Sequence, residues 1–223
     1  MVEKVLFSWS GGKDSALALH HMLNDERYRV AGLLTTVTEG YNRISLHGVR
    51  DTLLEQQAAA IGLPMHRVYI PQDSSNEEYE ARMGQALLEH QRAGVTAVVF
   101  GDIFLFEIKK YRENNLARIG MKGIFPLWGK NGCYQDFIDL GFKAVIASAD
   151  ARLLGDTYVG RAFDRQFIAD LPTNVDPNGE NGEFHTFVYD GPIFGGAIPY
   201  NLGEVVQRDG FFYCDILPGV STR

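Results

Sequence analysis

Residues 5–15 read VLFSWSGGKDS and carry the strongest structural signal in the chain. The apolar run Val5-Leu6-Phe7 predicts a short buried strand. Gly11 and Gly12 predict a tight turn, because glycine lets the backbone approach a ligand closely. A helical pattern follows over residues 13–23. A strand, a glycine-rich turn and a helix in this order place backbone N–H groups at the positive end of a helix dipole, which suits a phosphate group.

The side chains of this turn predict a site for a nucleotide and a divalent cation. Lys13 supplies a positive charge and Ser15 a hydroxyl donor. Asp14 would repel a phosphate unless a cation lay between them, so we assign Asp14 to Mg²⁺. The simpler alternative is a strand-to-helix turn in which Ser10 caps the helix. The complete string after a strand favours nucleotide binding. The predicted nucleotide ligands are Ser10, Gly11, Gly12, Lys13, Asp14 and Ser15.

Outward from this unit, apolar runs alternate with helical stripes through the first half of the chain. Further strands are predicted at residues 30–35, 67–70 and 97–100, and helical stripes at 49–61 and 79–90. This alternation predicts an α/β fold, with a parallel, doubly wound, Rossmann-like sheet covered by helices on both faces. Asp102 follows Gly101 at the carboxyl end of one predicted strand, where open α/β sheets place ligand-binding residues.

The second half has a different composition. Short helices are predicted at residues 133–140 and 164–171, and a strand at 143–148. After Leu171, proline, glycine, asparagine and aromatic residues dominate, and small antiparallel strands are predicted at 184–189, 203–207 and 211–215. Pro126 and the turn-forming residues after it interrupt the chain. We therefore predict a nucleotide-binding domain over residues 1–125 and a smaller α+β domain over residues 126–223, which is the candidate substrate-binding domain.

Composition narrows the class of protein. The 223 residues include 21 Lys and Arg and 28 Asp and Glu, a formal net charge of −7, which makes a nucleic-acid partner improbable. No apolar run is long enough for a membrane helix, and the N-terminal run is too short for a signal peptide. Cys133 and Cys214 form no CxxC pair, so we expect neither a disulfide framework nor a cysteine zinc site. We expect a cytoplasmic protein with no membrane contact.

A second polar cluster reads GENGEFHT over residues 179–186. Alternation along an extended segment places Glu183 and His185 on one face and Phe184 on the other. Carboxylates, an amide and an imidazole together can bind a metal, orient a substrate or move protons. Taken alone, the cluster is more typical of a polar turn that enters an edge strand.

Together the two clusters resemble a known family. SGGKDS resembles the PP-loop of the N-type ATP pyrophosphatases, and its pairing with GENGEFHT resembles the diphthine–ammonia ligase family across most of the chain. His47-Gly48-Val49, Gly101-Asp102 and Tyr111-Arg112-Glu113 also resemble family positions. The resemblance implies that ATP is split to AMP and pyrophosphate, that a substrate carboxylate is adenylated, and that ammonia then forms an amide.

The resemblance also implies roles for individual residues. The implied catalytic residues are Lys13, Asp14, Glu183 and His185. Gly101 and Asp102 are implied to join the nucleotide site, whereas Glu107 is equally well explained as an exposed helix start. The implied substrate-binding residues are His47, Glu180, Asn181, Glu183 and His185.

Some residues depart from the family pattern. The ligases of diphthamide-making organisms resemble GEGGE[FY]ET, with Gly and Glu where this chain has Asn181 and His185. GENGEFHT resembles a bacterial branch for which a role in cobalamin metabolism has been suggested. A cysteine often precedes that string, and Asn178 stands there instead. We therefore expect a small or medium-sized carboxylic acid other than diphthine as acceptor, with a cobalamin-related acid as a candidate, and ammonia supplied free or by a partner.

Two other functions stay open. One is an adenylating or sulfur-transfer enzyme that acts on RNA, which the net charge and the lack of a cysteine pair oppose. The other is an ATP- or AMP-binding sensor without turnover, which the polar cluster near residue 180 opposes. The aromatic run Phe211-Phe212-Tyr213 is a candidate contact for a homodimer.

Overall fold

The computed structural model describes residues 2–40, 43–44 and 48–220. Two β-sheets share one large hydrophobic core. The first sheet contains β1 (Glu3–Ser8), β2 (Tyr28–Thr38), β3 (Arg43–Ile44), β4 (Met65–Ile70), β5 (Ala97–Val99) and β6 (Lys122–Ile124). Its helices are α1 (Lys13–Leu23), α2 (Asp51–Ile61), α3 (Asn76–Arg92) and α4 (Phe106–Arg118).

The strands β4, β2, β1, β5 and β6 lie side by side in that order and run parallel. The short β3 pairs antiparallel with the end of β2. The chain thus builds outward from β1 through β2 to β4 and then returns to place β5 on the other side of β1. Such a reversal leaves a crevice at the carboxyl ends of β1 and β5, where open α/β sheets bind ligands.

The burial of β1 explains why its apolar run marks the centre of this sheet. Val5 and Phe7 face the core shared by both sheets, whereas Leu6 faces a second core that includes residues of α3 and α4. All three side chains are fully buried. A parallel strand covered on both faces needs apolar residues at successive positions, which is the pattern in the sequence.

The second sheet follows in the C-terminal half. It contains β7 (Lys143–Asp150), β8 (Phe184–Asp190), β9 (Tyr200–Arg208) and β10 (Phe211–Pro218), in the order β8-β7-β10-β9 with every pair antiparallel. The helices α5 (Cys133–Asp139) and α6 (Arg165–Ala169) and a 3₁₀ turn (Asp156–Tyr158) complete this half. The predicted Rossmann-like core with a smaller C-terminal sheet is confirmed.

Several details differ from the sequence interpretation. Most strands are longer than predicted, while β3, β6 and the 3₁₀ turn were not predicted because they are too short to show a periodic pattern. The N-cap residue of α1 is Gly12, which has no side chain to cap the helix. The predicted cap, Ser10, does not occupy the N-cap position. The run Phe211-Phe212-Tyr213 lies in β10, which has neighbours on both sides. No helix of the described chain is both long and apolar enough to cross a membrane.

Candidate active site

The glycine loop, Ser10–Ser15, lies at the crevice between the carboxyl ends of β1 and β5. Gly101, just after β5, packs directly against it. A Cβ atom on Gly101 would lie 3.0 Å from the main-chain carbon and oxygen of Asp14 and from the main-chain nitrogen of Ser15. Since real Cβ contacts are seldom so short, the missing side chain allows the two segments to touch. The absence of a side chain at Gly101 therefore brings the end of β5 against the main chain of the glycine loop.

Hydrogen bonds inside the glycine loop hold its turn. The Ser10 and Ser15 hydroxyl oxygens lie 3.1 Å apart. The Ser15 hydroxyl donates to the Gly12 carbonyl at 2.9 Å, and the Gly12 N–H donates to the Ser10 oxygen at 3.3 Å. Both serines thus stabilise the shape of the loop.

The strand β8 of the second sheet docks on this loop. The N–H of Lys13 donates to the Thr186 hydroxyl at 2.9 Å, and the N–H of Val188 donates to the Gly11 carbonyl at 3.0 Å. The two polar clusters of the sequence therefore meet in one place. The N–H of Lys13 is consequently not free for a phosphate, contrary to the sequence expectation for a helix start.

The ammonium of Lys13 is enclosed at this junction. The residue is 4% exposed, and its ammonium lies 2.7 and 2.9 Å from the two carboxylate oxygens of Asp14. It also donates to the main-chain carbonyl of Asn178. The rings of Phe163 and Phe184 have centroids 6.0 and 5.7 Å away. These partners compensate a buried cation that would otherwise be costly.

The environment of this junction raises the pKa of two carboxyl groups, those of Asp14 and Glu180. Desolvation raises the pKa of Asp14, whereas the Lys13 ammonium opposes that shift. Desolvation and the Asp14 charge raise the pKa of Glu180 to about 6. One oxygen of Glu180 accepts from the N–H groups of Ile103 and Phe104 at 3.2 and 3.3 Å. Glu180 thus joins the second polar cluster to the segment after β5.

Glu183 organises the loop that carries the second cluster. Its buried carboxylate accepts from the N–H of Asp176 at 3.2 Å and from the N–H and side-chain amide of Asn181, both at 2.9 Å. Asp176 in turn accepts from the N–H groups of Asn178 and Glu180, at 3.0 and 3.3 Å. These bonds give the 176–183 loop a defined shape beside Lys13.

His185 is a neutral group beside this loop. Desolvation and the nearby Lys13 charge lower the pKa of His185 to about 4, against a smaller opposing effect of Glu183. Its place in the register is opposite Ser148 of β7. At pH 7 the imidazole of His185 therefore carries no charge.

The remaining predicted residues lie in various settings. Asp102 forms a two-point ion pair with Arg112 of α4, with nitrogen–oxygen distances of 2.9 and 3.2 Å. Glu107 is exposed in the first turn of α4. His47 lies outside the described residues. Within the described ranges, no three His, Cys, Asp or Glu side chains converge as metal ligands.

The sequence interpretation missed one prominent contributor, Gln57 of α2. It is fully buried and contacts Trp9, the Gly11 carbonyl and the Val188 carbonyl. A signal was present, because Gln57 is a polar residue on the apolar face of a predicted helical stripe. Asp176, Asn178 and Thr186 were not assigned this structural role either, since their partners are distant in sequence.

Comparisons with known proteins match each half of the chain to a family model. The family model described as the diphthamide synthase N-terminal domain matches residues 3–123, and that described as the diphthamide synthase C-terminal domain matches residues 130–216. The chain is 25% identical over 233 residues to the diphthine–ammonia ligase of Schizosaccharomyces pombe, which covers 95% of this chain. It spans 38% of the length of that relative.

Proposed function

The chain belongs to the diphthamide synthase family, and from this premise we propose that it is an ATP-dependent ligase that adenylates a carboxylate and amidates it with ammonia. The family resemblance deduced from SGGKDS and GENGEFHT is confirmed by the two matching domain models. The observation that carries the proposal is the junction at Lys13, where β8 and the 176–183 loop meet the glycine loop. A ligase needs its nucleotide and its acceptor side by side, and this junction supports such a pairing.

In the proposed reaction the acceptor carboxylate attacks the α-phosphorus of ATP, and pyrophosphate leaves. Ammonia then attacks the acyl carbon of the mixed anhydride, and AMP leaves. The glycine loop is proposed to hold the phosphates, with Lys13 as its positive charge. Because the ammonium of Lys13 now bonds Asp14 and the Asn178 carbonyl, phosphate binding would require it to exchange one of these partners.

The donor set fits a proposed magnesium ion that accompanies ATP. Asp14 offers a carboxylate whose side chain is 30% exposed, and Glu180 is close enough for the two charges to interact. Magnesium is usually held by one or two carboxylates together with substrate phosphates and water, so a full protein cage is not needed. When bound, the ion would neutralise charge on the phosphates.

The C-terminal part is proposed to bind the acceptor and to handle protons. Glu180 is proposed to accept the proton that ammonium releases. The neutral His185 is proposed to donate or accept one hydrogen bond with the acceptor. Glu183 and Asn181 are proposed to shape the loop around it. This division assigns ATP binding to residues 1–125 and acceptor binding to residues 126–223.

We propose that the acceptor is a small or medium-sized carboxylic acid other than diphthine, with corrinoid acids as candidates. Diphthine carries a fixed positive charge that a carboxylate at position 185 could attract. The uncharged imidazole of His185 offers no such attraction. The bacterial branch suggested by GENGEFHT supports the same choice. A homodimer, a cytoplasmic location and the absence of a nucleic-acid partner stay predictions.

The test is a screen of carboxylic acids, including corrinoid acids, for AMP and pyrophosphate formation in the presence of Mg²⁺-ATP and ammonium. A ligase forms both products only when its acceptor is present. Asp14→Asn protein is the matched negative control. Tight ATP binding with no AMP formed from any acid would instead favour the sensor function. AMP formation that depends on RNA would favour the RNA-modifying alternative.

A further inference from the structure

Gln57 is a fully buried amide on the apolar face of α2. The neighbouring positions on this face, Leu53, Leu54 and Ala58, are apolar and buried. Burying an amide costs free energy unless its donors and its acceptor all find partners. The presence of glutamine at this position therefore requires a specific set of hydrogen bonds.

The amide of Gln57 connects three separate segments. Its nitrogen donates to the Gly11 carbonyl at 3.0 Å and to the Val188 carbonyl at 2.6 Å, and its oxygen accepts from the indole nitrogen of Trp9 at 3.0 Å. These partners lie just after β1, in the glycine loop and in β8. One side chain thus links the strand end, the loop and the second sheet.

The partners of Gln57 permit one orientation of its amide. The Trp9 indole can only donate, and the two main-chain carbonyls can only accept. A flipped amide would place its oxygen against two carbonyls and its nitrogen against an N–H group. In this one orientation the side-chain nitrogen of Gln57 bonds the carbonyls of both Gly11 and Val188. Gln57 therefore holds these two backbone segments at a fixed distance from each other.

Gly11 has the conformation and the space that this contact requires. Its φ of +77° lies in the left-handed region, and a Cβ atom there would lie 2.7 Å from the Gln57 oxygen. The Gly11 carbonyl also accepts from the N–H of Val188 at 3.0 Å. It therefore receives one hydrogen bond from α2 and another from β8.

We propose that Gln57 is a positioning residue that keeps the glycine loop in register with β8. The proposal deepens the proposed function and rests on it for the identity of the ligand. Through Gly11 it fixes the loop that carries Lys13 and Asp14, and through Val188 it fixes the strand that carries Thr186 and His185. The glycine loop, which is proposed to bind the nucleotide, and β8, which is proposed to lie at the acceptor site, then move as one unit.

The first experiment compares wild-type protein with Gln57→Met and with Gln85→Met, a control at an exposed glutamine of α3. Methionine keeps the length of glutamine and removes its hydrogen bonds. We expect Gln57→Met to bind Mg²⁺-ATP about tenfold more weakly by calorimetry, since the buried Trp9 indole N–H loses its acceptor and the Gly11 and Val188 carbonyls each lose a hydrogen bond. Without ligand, hydrogen exchange of the amides at 10–15 and at 188 should accelerate. The Gln85→Met protein should match wild type in both measurements.

The second experiment uses Gln57→Glu, whose ionised carboxylate would face two carbonyl oxygens. Protonation makes this side chain nearly isosteric with glutamine and restores one donor. We therefore expect its affinity for Mg²⁺-ATP, relative to wild type, to recover as the pH falls from about 8 to about 6. A role in stability alone would change the melting temperature of the variants but leave this relative pH profile flat.

The proposal would be overturned if hydrogen exchange of the glycine loop were the same in Gln57→Met as in wild type. Where wild-type protein binds ATP, the proposal would also be overturned if Gln57→Met bound ATP with the same affinity. If wild-type protein binds no ATP, the proposed function fails, whereas the exchange comparison still decides the role of Gln57. Should Gln57→Met not fold, the exchange comparison is made between Gln57→Glu at low and neutral pH. Equal loop protection at both, after correction for intrinsic exchange, would then overturn the proposal.

Discussion

The hydroxyl of Thr186 accepts a hydrogen bond from the main-chain N–H of Lys13 at 2.9 Å, although 173 residues separate them in the sequence. Both groups are buried. The contact satisfies an N–H at the start of α1 that no residue of that helix can satisfy. It also seats β8 of the second sheet on the glycine loop.

Replacing Thr186 with valine should therefore destabilise the protein. Valine has the shape of threonine but leaves the Lys13 N–H without an acceptor, which costs about 1–3 kcal/mol. Thermal unfolding followed by circular dichroism should show a melting temperature lower by roughly 2–10 °C. Thr186→Ser keeps the hydroxyl and is the control, with a smaller loss. Equal melting temperatures for Thr186→Val and wild type would show that this contact contributes nothing.

Charge at the glycine loop should control nucleotide binding. A variant with both Lys13→Ala and Asp14→Ala should lose at least about tenfold in Mg²⁺-ATP affinity, since contacts with charged groups contribute roughly 1.5–3 kcal/mol each. Asp14→Ala alone should remove metal-dependent turnover. Isothermal titration calorimetry checks the affinity, with Asp209→Asn, an exposed acidic residue of the second half, as the control. Undiminished affinity in the double variant would refute the assignment of this loop to ATP.

Glu183 should separate ATP binding from turnover. In Glu183→Gln an amide nitrogen would replace an oxygen that accepts hydrogen bonds from the 176–183 loop, and that loop should lose its shape. We expect ATP affinity within about twofold of wild type, while acceptor-dependent AMP formation falls by roughly 100-fold or more. Glu204→Gln changes an exposed glutamate of β9 and should have no effect. Wild-type turnover in Glu183→Gln would remove Glu183 from the proposed acceptor site.

Glu180 should make stability depend on pH in a defined direction. Burial raises its pKa from 4.5 to about 6, so the folded protein holds this proton more tightly than the unfolded chain does. The stabilisation is complete below about pH 4.5 and is lost as the pH rises through about 6. Relative to Glu180→Gln, wild type should lose roughly 1 kcal/mol across this interval, since solvent screens part of the effect on this partly exposed carboxylate. Urea unfolding at several pH values checks this, and parallel curves for the two proteins would contradict it.

The acceptor prediction can be tested with diphthine-modified elongation factor, ATP and ammonium. We expect little amide product from wild-type protein, because the neutral His185 cannot pair with the quaternary ammonium group. His185→Glu should convert cationic acceptors better than wild type does, by about fivefold if one desolvated charge pair contributes about 1 kcal/mol. Mass spectrometry of the elongation factor measures the product. Efficient conversion by wild-type protein would restore diphthine as the acceptor.

Local sequence was sufficient for the unit from β1 to α1, and for most strands and helices of the first half. The apolar run at Val5 and the glycines that follow act on their immediate neighbours, and a period of two or of 3.6 residues reports which face of an element is buried. The strings SGGKDS and GENGEFHT were also sufficient to indicate the family, since both are contiguous in the sequence.

The contacts between the two halves depend on tertiary structure. Nothing near Lys13 in the sequence indicates that its ammonium bonds the carbonyl of Asn178, or that Glu180 bonds the N–H groups of Ile103 and Phe104. The same holds for Gln57, whose partners lie in other segments. Such contacts, and the pKa shifts that they and burial produce, arise only when distant segments share a desolvated space, because hydrogen bonds and charge interactions depend on distance and burial rather than on position along the chain.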